Sequence, residues 1–411
     1  MDIDQPQRLL GNLTPTQFMR RHWQKKPLVV RQAITAGLPV MSRAALFRLA
    51  ALEDVESRLI TQQQRSAKSA GAASPAPLGA QWAMQSGPFP ARSLPPLSLP
   101  AWTLLVQGVD LHDGLVHELL QQFRFIPDAR LDDVMISFAT PEGGVGPHFD
   151  SYDVFLLQTS GRRRWRISCQ KDLRLQEGVP LKILQNFQAD QEFVLEAGDM
   201  LYLPPRYAHD GVAVALNDDG TPSSDCITCS IGFRAPAKAE LAAELLHRMA
   251  DFDLQDDHDE EVGGKSVLHL YKDPDQSATT TPAELPASLK NFAHQAVLEA
   301  LKNPLALACV LGEYLTEPKP SVWFEESGQS MAWSEATRLQ LDVRTRMMYD
   351  AQHVFINGES HRARGADAKL MRRLADNRAL TPKELKRASP DAISLLTDWA
   401  AAGWIRVQKL V

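Results

Sequence analysis

Between about residues 131 and 234 the chain breaks into short apolar or alternating runs, at 134–139, 153–158, 163–168, 192–195, 200–203, 211–216 and 226–233. Turn residues separate them. Several short strands at this spacing predict a β-sandwich or barrel. Asn217-Asp218-Asp219-Gly220, followed by Pro222, reads as a hairpin loop within the series.

The flanking segments have a different texture. Thr14-Pro15-Thr16-Gln17 fits a capping box and opens a first helix, which Lys25-Lys26-Pro27 closes. Leu28–Val30 reads as a short strand, and 43–60 and 111–124 as helices. Residues 66–80 are rich in Ala, Ser, Pro and Gly and read as a loop; 87–100 is Pro-rich. After Pro236 a helical period governs 237–252, and the acidic block Asp251–Glu261 reads as a solvated loop. Two helices broken near Pro304 fill 284–315, and Pro318-Lys319-Pro320 reads as a linker. The remainder mixes a hairpin-like pair (338–349 and 352–356, turning at Asn357-Gly358) with helices near 366–376 and 381–401 and a strand at Trp404–Val407. A compact helical unit with a β-wing fits that pattern. The expected organisation is thus α+β in three blocks, 1–236, 237–317 and 318–411.

Composition narrows the function classes. At 44% hydrophobic and 23% charged, the 411 residues can bury a sizeable core, which excludes a wholly disordered or coiled-coil chain. The formal charge is −6, divided as about −10 before Lys319 and +4 from there on. Basic residues in the last block are spread along the sequence, so nucleic-acid binding is not expected. No apolar run approaches the ~18 residues of a membrane span. Met1-Asp2-Ile3-Asp4 does not read as a signal peptide, and four cysteines make no disulfide framework. A cytoplasmic location is the expectation.

The chemistry concentrates at Gly146-Pro147-His148-Phe149-Asp150. In an extended segment, residues two apart share a face, so His148 and Asp150 are presented together. A turn, a strand and a proline stop follow at Gly198–Pro205, and then His209. Two histidines and one carboxylate in this order form the sequence pattern of a facial triad, which suits non-haem Fe(II) and leaves coordination positions open for substrates. A 2-oxoglutarate enzyme also needs a cation for the cosubstrate's far carboxylate. In Gly161-Arg162-Arg163-Arg164-Trp165-Arg166-Ile167, alternation puts Arg163 inward with Trp165 and Ile167, and the other three arginines outward into solvent. An inward guanidinium needs a partner and binds carboxylate in bidentate fashion, so Arg163 is the expected cosubstrate anchor. Ser137 interrupts an apolar strand, and Thr228 sits on a later one; either hydroxyl could touch the cosubstrate. Tyr152 shares the His148/Asp150 face and could line the substrate pocket. Cys226 and Cys229, three apart on a strand, should face opposite ways and make no metal site.

The stretches Met135–Phe138, Gly143–Phe155, Gly161–Arg166 and Ser230–Pro236, with Phe18 and Trp23-x-Lys25-Lys26-Pro27-Leu28, resemble the bacterial ribosomal oxygenases of the Jumonji-C/cupin type, in the branch that hydroxylates an arginine of a ribosomal protein. The resemblance runs through nearly the whole chain and is densest at 131–236. It implies a double-stranded β-helix (jelly-roll, JmjC) catalytic domain, a helical dimerisation region, a winged-helix-like C-terminal domain and a homodimer. It implies iron ligands at His148, Asp150 and His209, with Fe(II), 2-oxoglutarate and O2 as the reacting set. The cosubstrate arginine falls on Arg163 and its serine on Ser137; Thr228 stands where the family has an asparagine, and Tyr152 is a wall for the substrate side chain. The implied reaction is hydroxylation of the β-carbon (C3) of an arginine in the sixteenth protein of the large ribosomal subunit, giving succinate and CO2. Two alternatives stay open on sequence grounds. One is a Jumonji-type histidyl hydroxylase or demethylase acting on another protein; the other is a non-enzymatic cupin with a winged-helix interaction module.

Overall fold

The computed structural model describes residues 2–35, 41–63, 81–217, 219–221, 223, 225–259, 271–274, 283, 285–302, 304–326 and 337–409. The predicted loop at 66–80 lies outside them. The chain divides into two compact units, Met1–Ala235 and Pro236–Val411.

The first unit contains helices α1 (Pro15–Arg21), α2 (Arg43–Leu49) and α3 (Gly114–Gln121). Its strands are β1 (Leu28–Val30), β2 (Ser57–Gln63), β3 (Gln81–Ser86), β4 (Trp102–Val106), β5 (Leu131–Ala139), β6 (Val154–Ser160), β7 (Arg163–Ser168), β8 (Gln191–Leu195), β9 (Met200–Leu203), β10 (Ala208–Ala213) and β11 (Cys226–Phe233). The capping box is present as read: Gln17 N donates to Thr14 Oγ1 at 3.0 Å and Thr14 N to Gln17 Oε1 at 3.2 Å. Eight strands form one sheet, ordered β1-β9-β6-β11-β5-β4-β2-β3, and three form a second, β10-β7-β8. Every adjacent pair is antiparallel. This is the two-sheet jelly-roll expected for the catalytic unit.

Alternation assigns each face of the large sheet. On β11, Ile227, Cys229, Ile231 and Phe233 join a core with Phe18, Trp23, Phe123 and Phe155, beneath the helices. Burying each such large apolar side chain stabilises the fold by about 1.5–3 kcal/mol. The opposite face looks into the sandwich, where Leu156, Leu201 and Leu203 meet Trp165, Ile167 and Leu195 of the small sheet. Cys226 packs instead with Ala139 and Ala213, so the two cysteines face opposite ways as predicted.

Several boundaries differ from the sequence reading. Only Arg43–Leu49 of the predicted 43–60 helix is helical, and Ser57 onward is strand β2. Strands β2, β3 and β4 were not predicted: their turn signals merge into the Pro-rich stretch, and only pairing across the sheet reveals them. The predicted strand 211–216 runs instead over Ala208–Ala213, which moves His209 from a loop into a strand.

The second unit holds α4 (Lys238–Asp259), α5 (Ala287–Ala300) and α6 (Pro304–Thr316). It continues with β12 (Thr337–Leu341), β13 (Met347–Tyr349), β14 (His353–Ile356), β15 (Glu359–Arg362), α7 (Gly365–Asn377), β16 (Ala379–Leu380), α8 (Pro382–Leu385), α9 (Pro390–Ala401) and β17 (Ile405–Lys409). Over its described part, Asp251–Asp259, the acidic block is not a loop but the end of α4, and residues 260 and 261 lie outside the described residues. Carboxylates are compatible with a helix, whereas a glycine or proline stop was absent until Gly263. The predicted 381–401 helix is two, because Pro382 and Pro390 each open a new first turn. The predicted 338–349 strand divides between two three-stranded sheets, β16-β12-β17 and β13-β14-β15. Leu339, Leu374, Leu396 and Trp399 share this unit's core.

Candidate metal and cosubstrate site

His148 lies in the segment joining β5 to β6 and forms an antiparallel bridge with His209 on β10. The two backbones exchange both hydrogen bonds, His148 N to His209 O at 2.9 Å and His209 N to His148 O at 2.8 Å. Asp150 is held by its carbonyl, which accepts from Arg206 N at 2.7 Å. Ligand atoms of His148, Asp150 and His209 all lie within 4.8 Å of one another, the one such cluster of three or more among the described residues.

The hydrogen bonds set the imidazole tautomers. His148 Nδ1 lies 2.8 Å from Gly146 O, and His209 Nδ1 lies 2.9 Å from Tyr207 O. A carbonyl only accepts, so each Nδ1 carries a proton and each ring turns its Nε2 away from that carbonyl. Burial pushes the His209 pKa down to about 4, with nearby His148 adding to the shift and Asp150 opposing it. At neutral pH this ring is therefore uncharged, the form that ligates a metal. Two imidazole nitrogens and one carboxylate make a donor set that fits Fe(II).

Sheet geometry gives the site its depth. On β7, Arg163, Trp165 and Ile167 point inward as predicted and are buried, while Arg164 is exposed. The outward face is less solvated than expected. Arg166 pairs with Asp210 at 2.5 Å, and half-buried Arg162 lies 3.2 Å from Glu196. In the register, His209 faces Ile167, Gly211 faces Trp165 and Ala213 faces Arg163. Arg163 thus starts roughly 13 Å along the strand from His209's level. Its side chain reaches back: Nη1 lies 3.4 Å from Gly211 O, and the guanidinium lies 5.8 Å from the Trp165 ring centre. Gly211 is needed here, because a Cβ would sit 2.6 Å from the Trp165 ring. Arg163 is 4% exposed, and its Nε and Nη2 have no hydrogen-bond partner. A buried guanidinium with two donors unmatched is costly unless an anion completes it. The dicarboxylate 2-oxoglutarate has the chemistry to do so.

Ser137 and Thr228 are buried and face one another across β5 and β11. Ser137 Oγ lies 3.5 Å from Thr228 O, and Thr228 Oγ1 donates to Gln158 Oε1 at 2.8 Å. Gln158 was missed in the sequence reading. It closes the apolar run Val154–Leu157, and alternation puts it on the same face as Leu156. Asp133 was missed too; alternation along β5 puts it on Ser137's face, where it is buried and accepts from Gln107 Nε2 at 2.9 Å. Tyr152 is 40% exposed, and the Asp150 and Asp133 carboxylates lie close enough to act on its phenol.

Comparison with known proteins connects this geometry to a family. Residues 118–241 match the JmjC domain model, and 299–406 match the ROXA-like winged helix. Ribosomal protein uL16 3-hydroxylase of Escherichia coli is 33% identical over 305 residues, 74% of this chain and 71% of that protein. The chain belongs to the ribosomal oxygenases. A probable ribosomal oxygenase of Haemophilus influenzae matches along 97% of both chains at 26% identity. The crystal structure of YcfD, a ribosomal oxygenase from E. coli in complex with cobalt and 2-oxoglutarate, matches with a TM-score of 0.73 at 28% identity. The match covers 96% of this chain and 98% of that one. No helix among the described residues of this ribosomal oxygenase is long and apolar enough to cross a membrane.

Proposed function

We propose that this chain is an Fe(II)- and 2-oxoglutarate-dependent protein hydroxylase that acts on C3 of an arginine in ribosomal protein uL16, releasing succinate and CO2. The observation that carries this reading is the pairing of a His-Asp-His cluster with a buried, under-partnered Arg163 that leans toward it along β7. The uL16 hydroxylase and the cobalt- and 2-oxoglutarate-bound YcfD support the substrate and the cosubstrate.

His148, Asp150 and His209 would hold the metal. Bound Fe(II), with 2-oxoglutarate and O2, supplies the oxidising power that places one oxygen atom in a C–H bond while the cosubstrate loses CO2. The protein's own residues supply position. Gly146 O and Tyr207 O fix both imidazoles so that each Nε2 faces the cluster. Arg163 takes the cosubstrate's far carboxylate, and the Trp165 ring beside it excludes water from that pair. Ser137, Thr228 and Gln158 form a polar row on the facing sheet that the cosubstrate can touch. Tyr152 walls the substrate side chain. The acidic catalytic half suits a basic ribosomal target by electrostatic steering.

The test is intact-mass spectrometry of uL16, or a peptide spanning its modified arginine, after incubation with the chain, Fe(II), 2-oxoglutarate and ascorbate in air. One added oxygen on the arginine is expected. Succinate without added mass would discard the substrate, and oxygen on a histidine would move the chain to the histidyl hydroxylases.

The reading extends to the second unit. Helical residues 237–317 serve as a dimerisation region and 318–411 as a winged-helix domain of a cytoplasmic enzyme. Leu289, Phe292, Val297 and Leu298 on α5 and Leu305 on α6 are exposed, and an apolar set of this size on two helices suits a homodimer. Sedimentation is expected to give twice the chain mass, and Phe292→Asp with Val297→Asp to give a monomer. A wild-type monomer at all concentrations would remove the dimer.

A further inference from the structure

The last block of the sequence carries a net charge of only about +4, with its basic residues spread out. Folding concentrates some of them. A cavity of about 440 Å³ in the second unit is lined by Arg362, Arg364, Lys369 and Arg372, together with Ala351, Gln352 and the start of α7, and by no acidic residue. Arg362, Arg364 and Lys369 are exposed. None of the four cations forms an ion pair among the described residues. Arg372 is fixed by donating to Ala351 O at 2.7 Å and by stacking over the Tyr349 ring.

Carboxylates close in sequence to the lining residues have other partners. Asp350 accepts from the backbone N of Gln352 and His353, Glu359 lies 3.3 Å from His361 Nε2, and Asp367 accepts from Ser389 Oγ at 2.6 Å. The N-cap of α7 is Arg364, and no side chain caps the first turn. Gly365 and Ala368 of that turn line the same concavity as the basic side chains. Four cations exceed what one phosphate neutralises and match successive phosphodiesters.

We propose that this concavity on the winged-helix block binds the phosphate backbone of RNA. The choice of RNA rests on the ribosomal reading given above. The cation cluster itself does not. This departs from the expectation drawn from net charge, because a local field depends on spacing in three dimensions and not on a sum over residues.

The test uses the full chain and a labelled 20-nucleotide RNA stem–loop, with affinity followed by anisotropy between 50 and 200 mM salt. Each phosphate contact contributes a log–log slope of about −0.7 to −0.9, so four contacts predict a slope of about −3. Arg362→Gln with Arg364→Gln is expected to halve that slope and weaken binding at least tenfold at 50 mM salt. Arg20→Gln with Arg21→Gln, an equal charge change on α1, is expected to leave both unchanged. Equal losses in the two double variants, or no RNA binding by the wild type, would overturn the site. Displacement of the RNA by inorganic phosphate at matched phosphate concentration, or by a glutamate decamer at matched charge, would replace RNA with a free anion or an acidic peptide. Hydroxylation of the uL16 peptide without RNA is expected to be the same in wild type and both variants. An inactive wild type that still binds RNA would sink the catalytic reading alone.

Discussion

His209→Ala is expected to lower metal affinity by more than about a hundredfold and to end succinate formation. Loss of a hydrogen-bond partner that merely orients a metal ligand typically costs about 10- to 100-fold, and removing the ligand itself costs more. Of the three proposed ligands, His209 is the most firmly built into the fold: it is 2% exposed, bridged to His148 through two backbone hydrogen bonds and fixed at Nδ1 by Tyr207 O. Equilibrium dialysis against Co(II) reads metal affinity apart from turnover. Because truncating a buried ring can disturb the strand, Asp150→Asn serves as a second variant of nearly the same shape, and it should lose metal with an unchanged circular-dichroism spectrum. Binding of Co(II) within tenfold of wild type in both variants would refute the triad.

Arg163→Met separates a cosubstrate anchor from a structural ion. Truncating one partner of a buried, hydrogen-bonded charge pair costs about 2–5 kcal/mol, so KM for 2-oxoglutarate should rise roughly 30- to several-thousand-fold. Stability should move the other way. Nε and Nη2 of Arg163 are buried and unmatched, so replacing the guanidinium with a thioether removes a desolvation cost from the ligand-free protein. Tm without cosubstrate should therefore rise or hold, and the increase in Tm that 2-oxoglutarate produces in the wild type should vanish. Arg163→Lys keeps the charge but not the planar fork and should fall between. An unchanged KM with a lowered Tm would make Arg163 a structural residue only.

Features that depend on short-range period were legible in the residues alone. Alternation along 163–167 put Arg163 on the inward face with Trp165 before any partner strand was known, and the structure buries it there. The two-residue spacing of His148 and Asp150 presented both side chains together, and the capping box at Thr14 placed the start of α1. Ser137, which interrupts an apolar run, and Gln158, which closes one, were open to this reasoning, since alternation assigns the face of each.

Features that depend on pairing between distant segments emerge with the folded sheets. His209 lies about sixty residues beyond His148, and its place in a strand follows from the bridge to His148 and from β10 pairing with β7. Strands β2 to β4 have weak local signals and exist through the sheet they extend. The reach of Arg163 toward Gly211, and the gathering of Arg362, Arg364, Lys369 and Arg372 around one cavity, are likewise products of folding. The physical reason is common to all of these. A side chain's direction is set by its own backbone within a residue or two, whereas the groups it meets are set by register and packing, which a local pattern does not contain.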